Sequence, residues 1–213
     1  PPPPPPPPPP FFFHAEAGKR DSVASRGLGD VYKRQVTRCV FKAGFVWRVI
    51  ENKWPGFEDA FKGFVPLYWQ QVPPEVLEDL AQDERIVRNM QKIRTVPDNA
   101  RMIVDGAREH GGFGAFLSQW PSHDQVGLLM WFKRHGARLG GNTAQYFLRR
   151  VGWDGFILSS DVAAGLYREE RLDASPGSKK ALMQAQQAFN DWHKETGLPY
   201  SHLSRILSYS VGD

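Results

Sequence analysis

Leu139-Gly140-Gly141-Asn142-Thr143-Ala144 is the stretch on which the reading of this chain turns. Two adjacent glycines stand between a basic segment and an apolar helical one, and glycine accepts backbone torsions that a β-carbon resists. Successive N–H groups can then turn outward together at the start of a helix beginning near Asn142, which makes a site for a phosphate oxygen. Upstream, Met130-Trp131-Phe132 is apolar, and Lys133, Arg134, His135 and Arg138 follow, where cations reach neighbouring phosphates. The pattern reads as a helix-hairpin-helix over 132–151, with Lys133, Arg134, Arg138, Gly140, Gly141, Asn142 and Thr143 as candidate DNA contacts. An ordinary corner, in which the glycines end one helix and Asn142 caps the next, fits the same residues.

Around this hairpin the apolar periodicity predicts an all-α bundle, in one body or two closely packed lobes. Helices are expected at 36–53, 57–63, 74–81, 83–95 with continuation to 109, 113–118, 123–135, 142–151, 161–169, 177–196 and 200–209. Pro97 lacks an N–H, so a kink is expected there. Only Gly155-Phe156-Ile157-Leu158 is strand-like, and it is too short to build a sheet. Val40, Ala43, Gly44, Trp47 and Ile50 recur at helical spacing, the mark of a core stripe.

A second segment narrows the choice. Phe41-Lys42-Ala43-Gly44-Phe45-Val46-Trp47, running on to Trp54-Pro55 and Phe57-Glu58-Asp59-Ala60-Phe61, resembles the helix of DNA-3-methyladenine glycosylase I proteins that carries a Gln-Ala-Gly-Leu-Ser-Trp signature. Ile86-Val87-Arg88-Asn89, Lys92-Ile93 and Asn99-Ala100-Arg101 are similar to that family's Ile-Ile-Arg-His, Lys-Ile and Asn-Ala-Arg block. The run from Phe132 to Thr143 resembles its Leu-Lys-Lys-Arg-Gly-Phe-Lys-Phe-Val-Gly-Pro-Thr hairpin. The likeness covers roughly residues 36 to 170 and keeps one order throughout.

The resemblance implies a helix-hairpin-helix DNA glycosylase, which flips a damaged base out of the duplex to reach its bond. Trp47 matches the family's pocket tryptophan, and Phe41 and Phe45 are candidates for the other walls. Cys39 stands where the family has a glutamate in its damaged-base pocket, so the usual partner of a methylated adenine is replaced. In the wider superfamily an aspartate about twenty residues past the hairpin lies beside the flipped nucleotide, and Asp161 falls there. A carboxylate at that place stabilises positive charge developing on the sugar and orients water. Asp161 is equally a candidate cap for the helix starting at Val162. The family binds zinc through Cys and His near its two ends. Here Cys39 is the only cysteine and Val162 stands where the family has a histidine, so no zinc site of that kind and no cofactor is expected.

Residues 1–35 contain ten prolines, three phenylalanines and a mixed polar run. They read as translated adapter sequence ahead of an open reading frame that has lost its own beginning, with a polyproline II spacer as the alternative. The chain carries 27 Lys+Arg against 23 Asp+Glu, of which this segment holds five and three, leaving 22 against 20 for residues 36–213. Net charge therefore makes no case for nucleic acid, and DNA affinity must come from local clusters such as Lys133, Arg134, Arg138, Arg149 and Arg150. One cysteine fits a reducing cytosol, and no apolar run approaches a membrane span. The sequence points to a monomeric, cytoplasmic, bacterial-type glycosylase acting on double-stranded DNA with alkylated bases, among them 3-methyladenine. A catalytically silent DNA-binding relative and a helical protein-interaction domain are the alternatives.

Overall fold

The computed structural model describes residues 23–211, and every regular element among them is helical. The order is α1 (Val23–Lys42), α2 (Trp47–Ala60), a 3-10 turn (Lys62–Phe64), α3 (Pro66–Trp69), α4 (Pro74–Gln82), α5 (Met90–Ile93) and α6 (Thr95–Arg108). It continues with α7 (Phe113–Gln119), α8 (Gln125–His135), α9 (Asn142–Arg150), α10 (Ser160–Arg168), α11 (Lys179–Thr196) and α12 (Tyr200–Tyr209). The all-α expectation holds. Residues 155–158 lie in a connection without regular structure.

Three apolar clusters hold these helices. The central one joins α1, α6, α7, α8 and α9 through Val36, Val40, Phe113, Leu128, Phe132 and Phe147. A second gathers Phe41 with α2, the 3-10 turn and Trp69. Four of its aromatic rings are close to parallel: Trp54 on Phe57 at 5.3 Å, Phe57 on Phe61 at 5.8 Å and Phe61 on Phe64 at 5.5 Å. The third packs Phe156 and Leu158 with α10, α11 and α12. α1 lies at the join of the first two clusters, because Val40 faces one and Phe41 the other.

Several expected boundaries are corrected, each for a local reason. The helix expected over 36–53 breaks at Ala43–Val46, where Gly44 takes φ 66° and Val46 is extended before α2. The helix expected at 57–63 is divided between the end of α2, which runs through Pro55 to Ala60, and the 3-10 turn. Residues 83–89 are not helical. There the Asp83 carboxylate accepts the Arg85 N–H at 2.9 Å, a local bond that competes with helix. Pro97 makes no kink because it is the third residue of α6, inside the first turn, where no intrahelical N–H bond is lost.

Residues 1–22 of the expected adapter segment lie outside the described residues, whereas residues 23–35, expected to stand apart from the fold, run into the domain as one continuous helix from Val23. Within residues 29–35 several polar groups are buried. Lys33 is completely buried with its ammonium on the Thr37 hydroxyl at 2.9 Å. Asp30 Oδ1, Arg34 Nε and Gln35 Oε1 are buried and find no partner among the described residues.

Candidate nucleic-acid interface and base pocket

The first wall of the site is the turn between α1 and α2. Lys92, 3% exposed, donates from Nζ to the carbonyls of Phe41 at 2.9 Å and Ala43 at 2.7 Å. It thereby satisfies the open C-terminal end of α1 with a cation, the favourable sign for a helix C-terminus. Gly44, in the left-handed region, then reverses the chain, and Trp47 opens α2. Trp47 remains 47% exposed and meets Tyr146 of α9 edge-on, with ring centroids 5.4 Å apart.

The hairpin supplies the second wall. Asn99, 1% exposed, clamps its loop: the side chain donates to the Ala137 carbonyl at 3.1 Å and accepts the Ala137 N–H at 2.8 Å. Leu139 buries beneath the loop. Gly141, at φ 55° and ψ −135°, immediately precedes α9, in a conformation that glycine adopts without strain. Gln145 completes the joint by donating to the Gly141 carbonyl at 3.2 Å and accepting the Leu158 N–H at 2.7 Å. Asn142 is the first helical residue and Gly141 holds the cap position, so the alternative in which Asn142 caps the helix is corrected.

Between the walls lies a cavity of about 260 Å³, near the lower end of small-ligand pockets. Cys39, Lys42, Gly44 and Trp47 line one side, and Asn142, Thr143, Tyr146 and Arg150 the other. No carboxylate lines it. Burial pushes the Cys39 thiol up to about 11, against the pull of Arg150, Lys42 and Arg38, so the wall carries a neutral thiol at pH 7. The Lys42 ammonium lies 5.1 Å from the centre of the Trp47 ring and pairs with Glu51, which also pairs with Arg38. Burial first, then Arg150 and Arg38, holds the Lys42 pKa below the ordinary lysine value. Cationic donors thus face the cavity, backed by one shared carboxylate.

The candidate residues named from sequence divide by this geometry. Trp47, Cys39, Asn142 and Thr143 come together around the cavity. Phe41 does not: it is fully buried in the aromatic cluster, a correction to its expected place in the pocket wall. Phe45 is likewise not a cavity wall. It lies past the turn, 40% exposed, with the Lys92 ammonium 5.0 Å over its ring. Lys133 and Arg134 are exposed at the end of α8, and Gly140 and Gly141 are exposed in the loop. Arg138, at φ 56°, bonds Gln91 at 2.6 Å.

Asp161 is exposed in the first turn of α10, where the Ser160 hydroxyl donates to it at 3.1 Å. The cap of that helix is Ser159, whose hydroxyl accepts the Val162 N–H at 3.2 Å. The capping alternative for Asp161 is therefore corrected, and its carboxylate faces solvent unspent. Lys92, Asn99 and Tyr146 were missed as site-building residues, and Arg150, named for DNA affinity, lines the cavity. Tyr146 and Arg150 lie four and eight residues after Asn142, a spacing that puts all three on one helix face; the clamps by Lys92 and Asn99 span long stretches of chain that no local pattern reveals.

For the zinc that the family resemblance implies, the residues present do not fit a site of that kind. The lone Cys39 is spent in the cavity wall, and among the described residues no three His, Cys, Asp or Glu side chains are grouped to hold a metal.

Comparison with known proteins gives a consistent result. Residues 34–130 match the model of the methyladenine glycosylase family, a stretch that holds the α1–α2 turn, Lys92 and Asn99. The fold is similar to a crystal structure of a 3-methyladenine DNA glycosylase I variant in complex with 3-methyladenine, at 20% identity and TM-score 0.53, covering 59% of this chain and 77% of that one. It is also similar to 3-methyladenine DNA glycosylase I from Staphylococcus aureus, at 22% identity and TM-score 0.52 over the same shares. Over residues 34–130 the chain is thus similar to the methyladenine glycosylase family, and its fold is that of the 3-methyladenine DNA glycosylase I structures.

Proposed function

We propose that the protein is a monofunctional base-excision repair glycosylase that hydrolyses the N-glycosidic bond of an alkylated purine, such as 3-methyladenine, in double-stranded DNA. The observation that carries this reading is the single cavity in which Trp47 meets the first turn of the hairpin helix through Asn142 and Thr143. A purine extruded from the duplex would stack on the half-exposed Trp47. The hairpin N–H groups and the exposed Lys133, Arg134 and Arg138 would hold flanking phosphates.

The reaction needs little from the protein beyond position and charge. The C1′–N bond breaks with its electron pair passing to the base, which for a methylated, positively charged purine leaves as a neutral molecule. Positive charge appears on the sugar, and water adds at C1′ and gives up one proton. Asp161, exposed and not consumed as a cap, is the carboxylate proposed to stabilise the sugar and take that proton. Recognition of the base by a glutamate is absent from this cavity. The thiol of Cys39 and the donors of Lys42 and Arg150 replace it, and they suit acceptor atoms on the base edge.

Two readouts test the proposal on the full chain. Affinity for a duplex that falls steeply with salt is expected, because phosphate contacts release counterions; salt-independent or absent binding would favour a protein-interaction domain. Free methylated base in the supernatant of alkylated duplex DNA is the second expected result. Its absence, with the protein folded and bound, would identify a silent relative.

A further inference from the structure

A second cleft, of about 240 Å³, opens between α9, α10 and α12, with Tyr146 as a wall common to it and the base cavity. It is built from Arg149 of α9, Ser159 and Val162 at the start of α10, and Ser204, Arg205 and Ser208 of α12. α10 and α12 lie beyond residue 130, where the family match ends. Two guanidinium groups therefore face one cleft, and no carboxylate lines it.

The polar groups there are partly unspent. Arg149 donates from Nη2 to the Gly155 carbonyl at 3.0 Å, while its Nε is buried and finds no partner among the described residues. Burial above all, with Arg205 adding to it against Asp154, holds the Arg149 pKa below its ordinary value. The hydroxyls of Ser159 and Ser204 each accept a backbone N–H, from Val162 at 3.2 Å and from Ile157 at 3.1 Å, which leaves their protons to donate. Arg205 is exposed, with its Nε on the Tyr209 hydroxyl at 3.1 Å. Planar arginine forks, hydroxyl donors and the first turn of a helix form the donor set that takes a phosphate.

We infer that this cleft binds a phosphodiester of the DNA strand whose damaged base enters the neighbouring cavity, so that the C-terminal helices extend the DNA footprint past the hairpin. The inference rests on the glycosylase reading. Asp161 stands in the same first turn of α10 that borders the cleft but does not line it. A phosphate seated on Arg149 and Arg205 would therefore draw the strand to the helix start that carries the carboxylate. The arginines also offset repulsion between that carboxylate and the backbone.

The test is fluorescence anisotropy with a labelled duplex carrying a tetrahydrofuran abasic analogue, titrated with the full chain at several salt concentrations. Arg205→Gln and Arg205→Glu are compared with Arg108→Gln, an exposed arginine paired with Asp105 away from the cleft. Arg205→Gln is expected to weaken binding about tenfold and to make the salt slope shallower by about one. Arg205→Glu should weaken it further, and Arg108→Gln should match the wild type. Circular dichroism of each variant should be unchanged. Wild-type affinity and slope in both Arg205 variants would overturn the inference while leaving the glycosylase reading intact; no salt-dependent binding by the wild type would overturn both. Saturable binding of inorganic phosphate that Arg205→Gln abolishes, with duplex binding unaffected, would assign the cleft to a free anion and also overturn the inference.

Discussion

Trp47 and Phe41 stand on opposite sides of the α1–α2 turn and face different surroundings. Phe41 is wholly buried against Phe57, at 4.8 Å, and Phe61, whereas Trp47 is about half exposed over the cavity. Helical spacing through residues 40–50 would put Val40 and Trp47 on one stripe, and that inference fails because Gly44 ends the helix between them. The stripe was visible in the sequence; the rotation introduced by a left-handed glycine was not. The two aromatics should consequently separate stability from activity. Phe41→Ala is expected to cost about 3–5 kcal/mol in denaturant unfolding. Trp47→Ala is expected to cost about 1 kcal/mol or less yet remove base release. Equal destabilisation by the two, with release intact in Trp47→Ala, would contradict the assignment.

Among the elements, the hairpin is where sequence and structure agree best. Its helices end and begin within a few residues of expectation, since Gly136, Gly140 and Gly141 are strong local punctuation. What the sequence hid is the support from α5 and α6: Lys92 holds the end of α1, and Asn99 holds the hairpin loop. Asn99→Ala would leave the Ala137 N–H without its acceptor. A loss of about 1–3 kcal/mol is expected, together with weaker duplex binding by anisotropy; unchanged binding would show that the clamp does not set the hairpin geometry.

α1 gives the opposite lesson, because its first half packs polar groups into the fold. Burial pushes the Lys33 ammonium down to about 7 from 10.5. Between these values the unfolded chain binds more protons than the folded one, so the contribution of Lys33 to stability rises with pH from about 7 to 10.5. Below about 7 the lysine is charged in both states and the burial penalty is greatest. Lys33→Met is expected to raise stability at neutral pH by a few kcal/mol and to flatten that pH dependence. A variant no more stable than the wild type in urea would refute a buried ammonium whose partner among the described residues is a hydroxyl and not a counter-ion.

For the whole molecule, helical class and the position of the hairpin were legible from periodicity, glycines and charge. The division into three apolar clusters was not, because it depends on which face of α1 meets which partner. Nor was the second cleft, which joins arginines and serines from α9 and α12, separated by more than one intervening helix. Among the described residues no helix is long and apolar enough to cross a membrane. The molecule is thus a helical frame that brings the Trp47 cavity, the glycine hairpin proposed to hold phosphate and the exposed Asp161 carboxylate onto neighbouring elements.

The measurement that tests this account most directly is the single-turnover rate of 3-methyladenine release from methylated duplex DNA, with wild type and Asp161→Asn run in parallel. The account predicts release by the wild type and a rate lower by roughly 100-fold or more in the variant, with duplex affinity and unfolding midpoint retained. Undiminished release by Asp161→Asn, or no release by a folded, DNA-bound wild type, would contradict it.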